Sequence, residues 1–374
     1  MSLLLPTPPS GSRGKRMNTD LVKISGTVSN GKTVFSEEET ASLCKGAEII
    51  SRGGLVVFPT ETVYGLGGDA TNPEASKKIY AAKGRPSDNP LIIHIYTPED
   101  AEKYAFTNQT YYKLAKSFMP GPLTVVLKAR ESVPKATRGG LETVAVRCPV
   151  HPVARELIRL SAVPIAAPSA NLSGSPSPTK ASHAFDDMNG RVEMIIDGGE
   201  CDFGLESTIV KIEDNGDLCL LRPGKITVEE LRKIASVSLA DAVVDKLKEG
   251  EVALSPGMKY RHYAPKSPLV LLDGDVDASI KYISESESKR IAVISYSEDI
   301  DKLSRALPNA ALFEFGEMQD EIGQAHRLFD ILREADKINF DVIYAPLPEM
   351  SGIGLAIYNR MIRAAAHTII NLKR

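Results

Sequence analysis

Short apolar runs punctuate this chain, and most of those in its first two-thirds stop or start on a hydroxyl, an arginine or an asparagine. LVVFPTET ends at Thr60, Glu61 and Thr62, VAVRCP carries Arg147, and VPIAAPSAN reaches Ser169, Ala170 and Asn171. ESTIVKI carries Ser207 and Thr208 near its start, and CLLRPG carries Arg222. Runs of this length and β-branched content predict strands. Interleaved with helical stretches, they predict a mixed α/β domain over residues 20–235, built on a twisted sheet. Ligands in α/β sheets collect where strand ends let backbone and side chains converge. Several such ends bearing hydroxyls or arginines predict one shared pocket.

From residue 268 the pattern changes to a regular alternation. PLVLLDG, RIAVISYS, AALFEFG and FDVIYAPLP predict strands, separated by helices such as DEIGQAHRLFDILREADK and followed by a last helix over GLAIYNRMIRAAAHTII. Alternation of this kind implies a parallel sheet covered on both faces, so residues 268–374 read as a smaller Rossmann-like domain. Residues 236–267 then form a connector. A passive linker is rich in Gly, Ser or Pro, yet this one contains GMKYRHYAP, residues 257–265, with two tyrosines, several potential cations and no acid. Residues 1–19 read as a disordered extension. Pro6 breaks its leucine run, so it fails as a signal peptide, and Met17 offers an alternative start.

A length of 374 residues suits two domains, and 43% hydrophobic with 25% charged residues is a soluble, globular balance. A formal net charge of -3 excludes a molecule that binds nucleic acid by bulk charge, so any anion site must come from local clustering. The cysteines, Cys44, Cys148, Cys201 and Cys219, form no C-x-x-C pair, which points to a reducing, cytoplasmic compartment without structural zinc or a disulfide frame. The histidines are scattered without metal-ligand spacing, so no protein metal site is expected. No apolar run approaches the roughly 18 residues of a membrane span.

Candidate chemistry concentrates in a few stretches. In NPEASKKIYAAKGRPSDNP, Asn72 and Pro73 predict a helix start and Gly84 its end. Lys83 and Arg85 flank the exit, in a loop stiffened by Pro86 and Pro90, and read as an anion site. His94 stands in the strand-like PLIIHIY, where a lone histidine reads as a core residue. GLGGDA matches a dinucleotide fingerprint formally but does not itself open a helix, so its glycines read as a tight turn. PSANLSGSPSPT, residues 168–179, is either a phosphate cradle of backbone N–H groups and hydroxyls or a flexible linker. Arg147 and Arg222, joined to Lys83 and Arg85, would make a cationic pocket suited to a polyphosphate. Gly352 and Gly354 read as a helix start needing backbone freedom.

Taken in series, FPTETVYGLG, KGRPSDNPLIIHI, PGPLTVVL, VAVRCP, APSANLSG and ESTIV resemble the YrdC/Sua5 family. The C-terminal domain and SPGMKYRHYAP resemble its long, two-domain Sua5 type, the threonylcarbamoyl-AMP synthases. The resemblance implies a YrdC-like catalytic domain and a reaction of L-threonine, bicarbonate or CO2, and ATP to give threonylcarbamoyl-AMP and pyrophosphate. The product would supply t6A at position 37 of ANN-decoding tRNAs through a separate transferase complex, with direct tRNA contact left open. It further implies that Thr62, His94, Arg147, Ser207 and the main chain of Ala167 surround the threonine. Arg85, Asn89, Thr143, Ser169, Ser177 and Arg222 would hold ATP, with Lys83 in the same basic motif as Arg85, both of them catalytic. Tyr260 or Tyr263 would reach the nucleotide, making GMKYRHYAP a lid. Mg²⁺ would sit mainly on the ATP phosphates. Two other readings remain: double-stranded RNA binding on a basic concave surface, and carbamoyl transfer as in hydrogenase-maturation proteins, whose zinc-binding Cys motifs this chain lacks.

Overall fold

The computed structural model describes residues 18–29, 31–243 and 263–373. The connector tyrosine Tyr260 and most of the N-terminal extension lie outside the described residues. Thr19, assigned to that extension, is anchored: its hydroxyl donates to Val192 O at 2.7 Å.

The first domain is built on an eleven-stranded mixed sheet. From one edge it runs Asp20–Lys23, Met194–Asp197, Val56–Phe58, Gly65–Asp69, Ile165–Ala166, Ile92–His94, Thr143–Arg147, Leu123–Lys128, Thr208–Ile212, Leu218–Arg222 and Val237–Leu239. The last of these pairs in parallel with residues 218–220, so three residues of the expected connector are sheet.

Alternation along the central strands separates two faces. Ile93, Val125, Val146 and Val210 point to a core covered by the helices Pro73–Lys83, Gln109–Phe118 and Ala181–Met188. On the other face the helices Glu37–Ser51 and Pro152–Ser161 cover Val56, Phe58 and Ile165. They leave a lesser cluster around Ile92, Ala145 and Ile209 further along. His94 and Arg147, register partners on adjacent strands, project on that less covered face.

The Pro73–Lys83 helix forms as its sequence dictates. Asn72 accepts from Glu74 N at 2.9 Å, Pro73 occupies the first turn, and Gly84 closes the helix at φ 61°. GLGGDA differs from expectation: Gly65–Asp69 is a buried strand rather than a tight turn. Its glycines are needed for close approach, because a Cβ on Gly67 would lie 2.7 Å from the Phe58 ring and 2.8 Å from Ile165.

The second domain is a five-stranded, wholly parallel sheet in the order Ala311–Glu314, Ile291–Ser295, Val342–Pro346, Leu269–Asp273, Ile369–Asn371. The final helix is shorter than its sequence pattern predicts. It ends at Ala364, Ala366 and His367 take positive φ, and Ile369–Asn371 becomes an edge strand beside residues 271–273. Val63, Phe203, Leu205 and Tyr263 join the apolar cluster of this domain, packing with Leu328, Phe329 and Ile357, so the two domains share a core. No helix among the described residues is long and apolar enough to cross a membrane.

Candidate active site

The less covered face of the large sheet carries a cleft lined by Thr60, Gly65, Lys83, Arg85, Ile92, His94, Arg147, Ala167, Ser169, Asn171, Glu206, Ser207, Arg222 and Tyr263, among others. It is a shared pocket, as the strand ends predicted. It does not lie along one edge, because neighbouring strands in this region run antiparallel and their C-terminal ends fall on opposite sides. The cleft forms across the face instead, where short strands bring both ends close.

The cationic side starts at the exit of the Pro73–Lys83 helix. Lys83 is buried, and its ammonium donates to Ser169 O, to Asn171 O at 2.5 Å and to Asn171 Oδ1 at 3.3 Å. Burial, reinforced by the Arg85 charge, pulls its pKa well below the ordinary lysine value. Arg85 holds its own turn, donating from Nε to Asn89 O at 3.3 Å and from Nη2 to Pro90 O at 3.1 Å. Burial pushes its pKa down to about 10. Asn89 is buried with Oδ1 unpartnered. Thr143 stands at the start of its strand, two residues before Ala145, and is not among the lining residues.

Residues 168–179 are a structured loop, not a flexible linker. Pro168 O and Pro178 O accept from Leu66 N and Tyr64 N at 2.8 and 2.9 Å. Ser173 N donates to Lys83 O at 2.9 Å. Asn171 Nδ2 donates to Leu172 O and Ser175 O at 2.7 and 2.9 Å, and Ser169 Oγ donates to Asn171 Oδ1 at 2.5 Å. Ser177 is buried behind the cleft wall, its hydroxyl donating to Glu206 Oε1.

Deeper in the cleft, Arg147 Nη2 meets Glu61 Oε1 at 2.7 Å, while Arg147 Nε and Glu61 Oε2 have no partner. His94 is buried beside the edge of Phe58, with Nδ1 3.2 Å from Ile165 O. A carbonyl oxygen only accepts, so Nδ1 carries the proton and Nε2 is left as an acceptor. Burial and then the Arg147 charge push the His94 pKa down to about 3, so the ring is neutral at neutral pH. Ser207 Oγ lies 2.8 Å from Thr124 Oγ1 and accepts from Arg222 Nη2 at 3.2 Å. Arg222 Nε donates to Ser207 O at 3.0 Å, and burial pushes its pKa down to about 10. Thr62 is buried behind Thr60, hydroxyl to hydroxyl at 2.9 Å, and it is Thr60 that lines the cleft.

From the connector, Tyr263 reaches the cleft. It is buried at φ 62°, and its ring stacks on Phe329 of the second domain at 5.2 Å between centroids. Ala264 N donates to Gly174 O at 2.9 Å, tying the connector to the loop over residues 168–179.

Of the residues singled out in the sequence, Lys83, Arg85, His94, Arg147, Ala167, Ser169, Ser207, Arg222 and Tyr263 line one cleft. Thr62, Asn89, Thr143 and Ser177 are not among the lining residues. Thr60, Asn171 and Glu206 also line the cleft, without having been given a role in the sequence. The first two stand at the strand ends that predict the shared pocket. Glu206 opens the ESTIV motif, but its pairing has no local signal, because its partner Arg360 lies far along the chain.

A mixed sheet bearing a buried cationic cleft, joined through a shared apolar core to a parallel α/β domain, defines a two-domain α/β protein. Residues 48–224 match the Sua5/YciO/YrdC family model, described as telomere recombination, and residues 226–366 match the threonylcarbamoyl-AMP synthase C-terminal domain. The threonylcarbamoyl-AMP synthase of Pyrococcus abyssi is 45% identical over 335 residues, 87% of this chain and 94% of that protein. The Bacillus subtilis enzyme of the same name is 41% identical, over 88% of this chain and 94% of its own. A crystal structure of P. abyssi Sua5 complexed with L-threonine superposes with a TM-score of 0.83 at 40% identity, covering 94% of this chain and 99% of that one. The chain belongs to the YrdC/Sua5 threonylcarbamoyl-AMP synthase family, in its two-domain form.

Proposed function

We propose that this enzyme condenses L-threonine, CO2 or bicarbonate, and ATP into L-threonylcarbamoyladenylate and pyrophosphate, the activated donor for t6A in ANN-decoding tRNAs. The reading is carried by its relationship, along nearly the whole chain, to threonylcarbamoyl-AMP synthases. The cleft supports it by setting a small polar subsite beside a cationic one.

In the small subsite, Arg147 offers an unpaired Nε to the threonine carboxylate. His94 Nε2 accepts from the amine or hydroxyl. Thr60, with Thr62 behind it, and Ser207 supply hydroxyl partners, with the Ala167 main chain alongside. A site built to bond the substrate hydroxyl rejects analogues that lack it. In the cationic subsite, Arg85 and Arg222 face the triphosphate, and Lys83 holds the Ser169–Asn171 backbone that cradles it. Asn89, Thr143 and Ser177 support the turn, strand and loop around it. Tyr263 closes over the nucleotide.

The amine nitrogen of threonine bonds to the carbon of CO2 and loses a proton, giving a carbamate. A carbamate oxygen then attacks the α-phosphorus, and the bond to the β-phosphate oxygen breaks, releasing pyrophosphate. No covalent enzyme intermediate is needed, so the protein acts by positioning and charge stabilisation. Among the described residues no cluster of His, Cys, Asp and Glu converges, and Glu206, the carboxylate lining the cleft, is already held by other side chains. A Mg²⁺ would arrive on the nucleotide and be held mainly by phosphate oxygens and water, with Arg85 and Arg222 sharing in neutralising the phosphate charge.

The test is pyrophosphate release with L-threonine or bicarbonate omitted in turn, and mass detection of the adenylate. Release that needs both, with the threonylcarbamoyladenylate mass, is expected. Release indifferent to threonine would overturn the reading.

A further inference from the structure

Arg360 is 0% exposed and belongs to the last helix of the second domain. A guanidinium taken wholly out of water is costly unless its N–H groups are paired. The pairing comes largely from the first domain: Nε donates to Glu206 Oε2 at 2.9 Å, Nη1 to Pro223 O at 2.7 Å and Nη2 to Glu206 O at 3.3 Å. Each acceptor adjoins the cleft machinery. Glu206 precedes Ser207, and Pro223 follows Arg222. The second oxygen of Glu206 accepts from Ser177, and the Arg360 guanidinium lies 5.8 Å from the Tyr263 ring centroid.

Charge gives this geometry its meaning. Glu206 sits in the lining among Lys83, Arg85, Arg147 and Arg222. Left unpaired, its carboxylate would draw Arg222 to itself and oppose an incoming polyphosphate. Burial pushes the Glu206 carboxyl up, but Arg360, then Arg222 and the Ser177 hydroxyl, outweigh it and hold it below the ordinary value. It is therefore ionised at neutral pH and matched by a cation from the other domain.

We propose that Arg360 is a positioning residue for the nucleotide half of the reaction: it neutralises Glu206 and fixes the backbone beside Ser207 and Arg222, leaving Arg222 free to meet the triphosphate. The inference rests on the cleft being the ATP site described above. It gives the second domain a part in substrate binding that acts through Glu206. The threonine subsite shares only Ser207 with this network, while Arg147 and His94 take their own partners from Glu61 and Ile165, so threonine is less affected.

The experiment compares the full-length protein with Arg360→Met, Arg360→Lys, Glu206→Gln and the Arg360→Met/Glu206→Gln double variant. Readouts are KM for ATP, KM for threonine, and direct titration with ATP in the absence of threonine. Arg360→Met should raise the ATP KM about tenfold or more while the threonine KM moves less than about threefold. Removing the charge of Glu206 as well should recover most of that loss, and Arg360→Lys should fall between. A merely structural residue would shift both KM values together, and Glu206→Gln would then restore both together. An unchanged ATP KM in folded Arg360→Met, or a double variant no better than the single one, overturns the proposal. Where Arg360→Met fails to fold, the lysine and double variants carry the same comparison. Wild-type protein without threonine-dependent pyrophosphate release would overturn the reaction itself, while ATP titration of the variants would still decide the role of Arg360.

Discussion

Arg147 and Glu61 meet at 2.7 Å with their side chains only 5% and 6% exposed, and each keeps one buried polar atom without a partner. In the proposed threonine subsite the open Nε would meet the carboxylate of the amino acid, with Glu61 holding the guanidinium in place. Arg147→Met leaves Glu61 buried and unpaired, which costs about 3–5 kcal/mol. Thermal unfolding should show that loss, and the threonine KM should rise well beyond the ATP KM. Equal shifts in both would remove Arg147 from the threonine subsite.

His94 makes acid stability a test of burial. Its pKa is about 3 in the folded chain against 6.5 ordinarily. Between these values the unfolded chain binds a proton that the folded chain does not, so stability rises with pH across the window and is lost on acidification. Above the window both forms are neutral and the effect vanishes. The slope approaches roughly 1.4 kcal/mol per pH unit. His94→Asn should flatten the fall in Tm between about pH 6.5 and about pH 4.5. An unchanged profile would mean that His94 is not buried neutral.

Lys83 stitches the loop over residues 168–179 to the helix that precedes Arg85. Lys83→Met removes the buried donor for Ser169 O and Asn171 O. Its kcat should fall by about two orders of magnitude, as expected when a preorganised group is lost. Amide exchange in residues 168–175 should quicken in the same variant. Loss of activity with unaltered exchange would assign Lys83 a direct role on phosphate instead.

The connector tyrosines separate by single substitution. Tyr263→Ala removes the ring stacked on Phe329 and should raise the ATP KM about tenfold through lost packing and closure. Tyr260→Ala, measured in parallel, shows whether a second ring is needed. If ATP affinity survives Tyr263→Ala, the connector does not cover the nucleotide.

Much of this arrangement was legible in the sequence. Asn72, Pro73 and Gly84 bound their helix because caps are local. The alternation after residue 268 gave the parallel sheet because period is local too. Misreadings arose where a distant partner decided the outcome. Gly65–Asp69 is a strand because Phe58 and Ile165 press against it, not because of its own composition. Ile369–Asn371 leaves the helical pattern because an edge beside residues 271–273 is open to it. Glu206 and Arg360 are separated by most of the second domain in sequence, so their pairing leaves no local trace.

The core common to both domains limits how the chain can be divided. Val63, Phe203 and Leu205 lie within the first domain yet find their apolar neighbours in the second. A fragment ending near residue 243 would present those side chains and an uncompensated Glu206 to water, beside the substrate cleft. Any lineage that dispenses with the second domain must therefore rebuild one wall of the first, so the two halves of this gene are held together by packing as well as by chemistry.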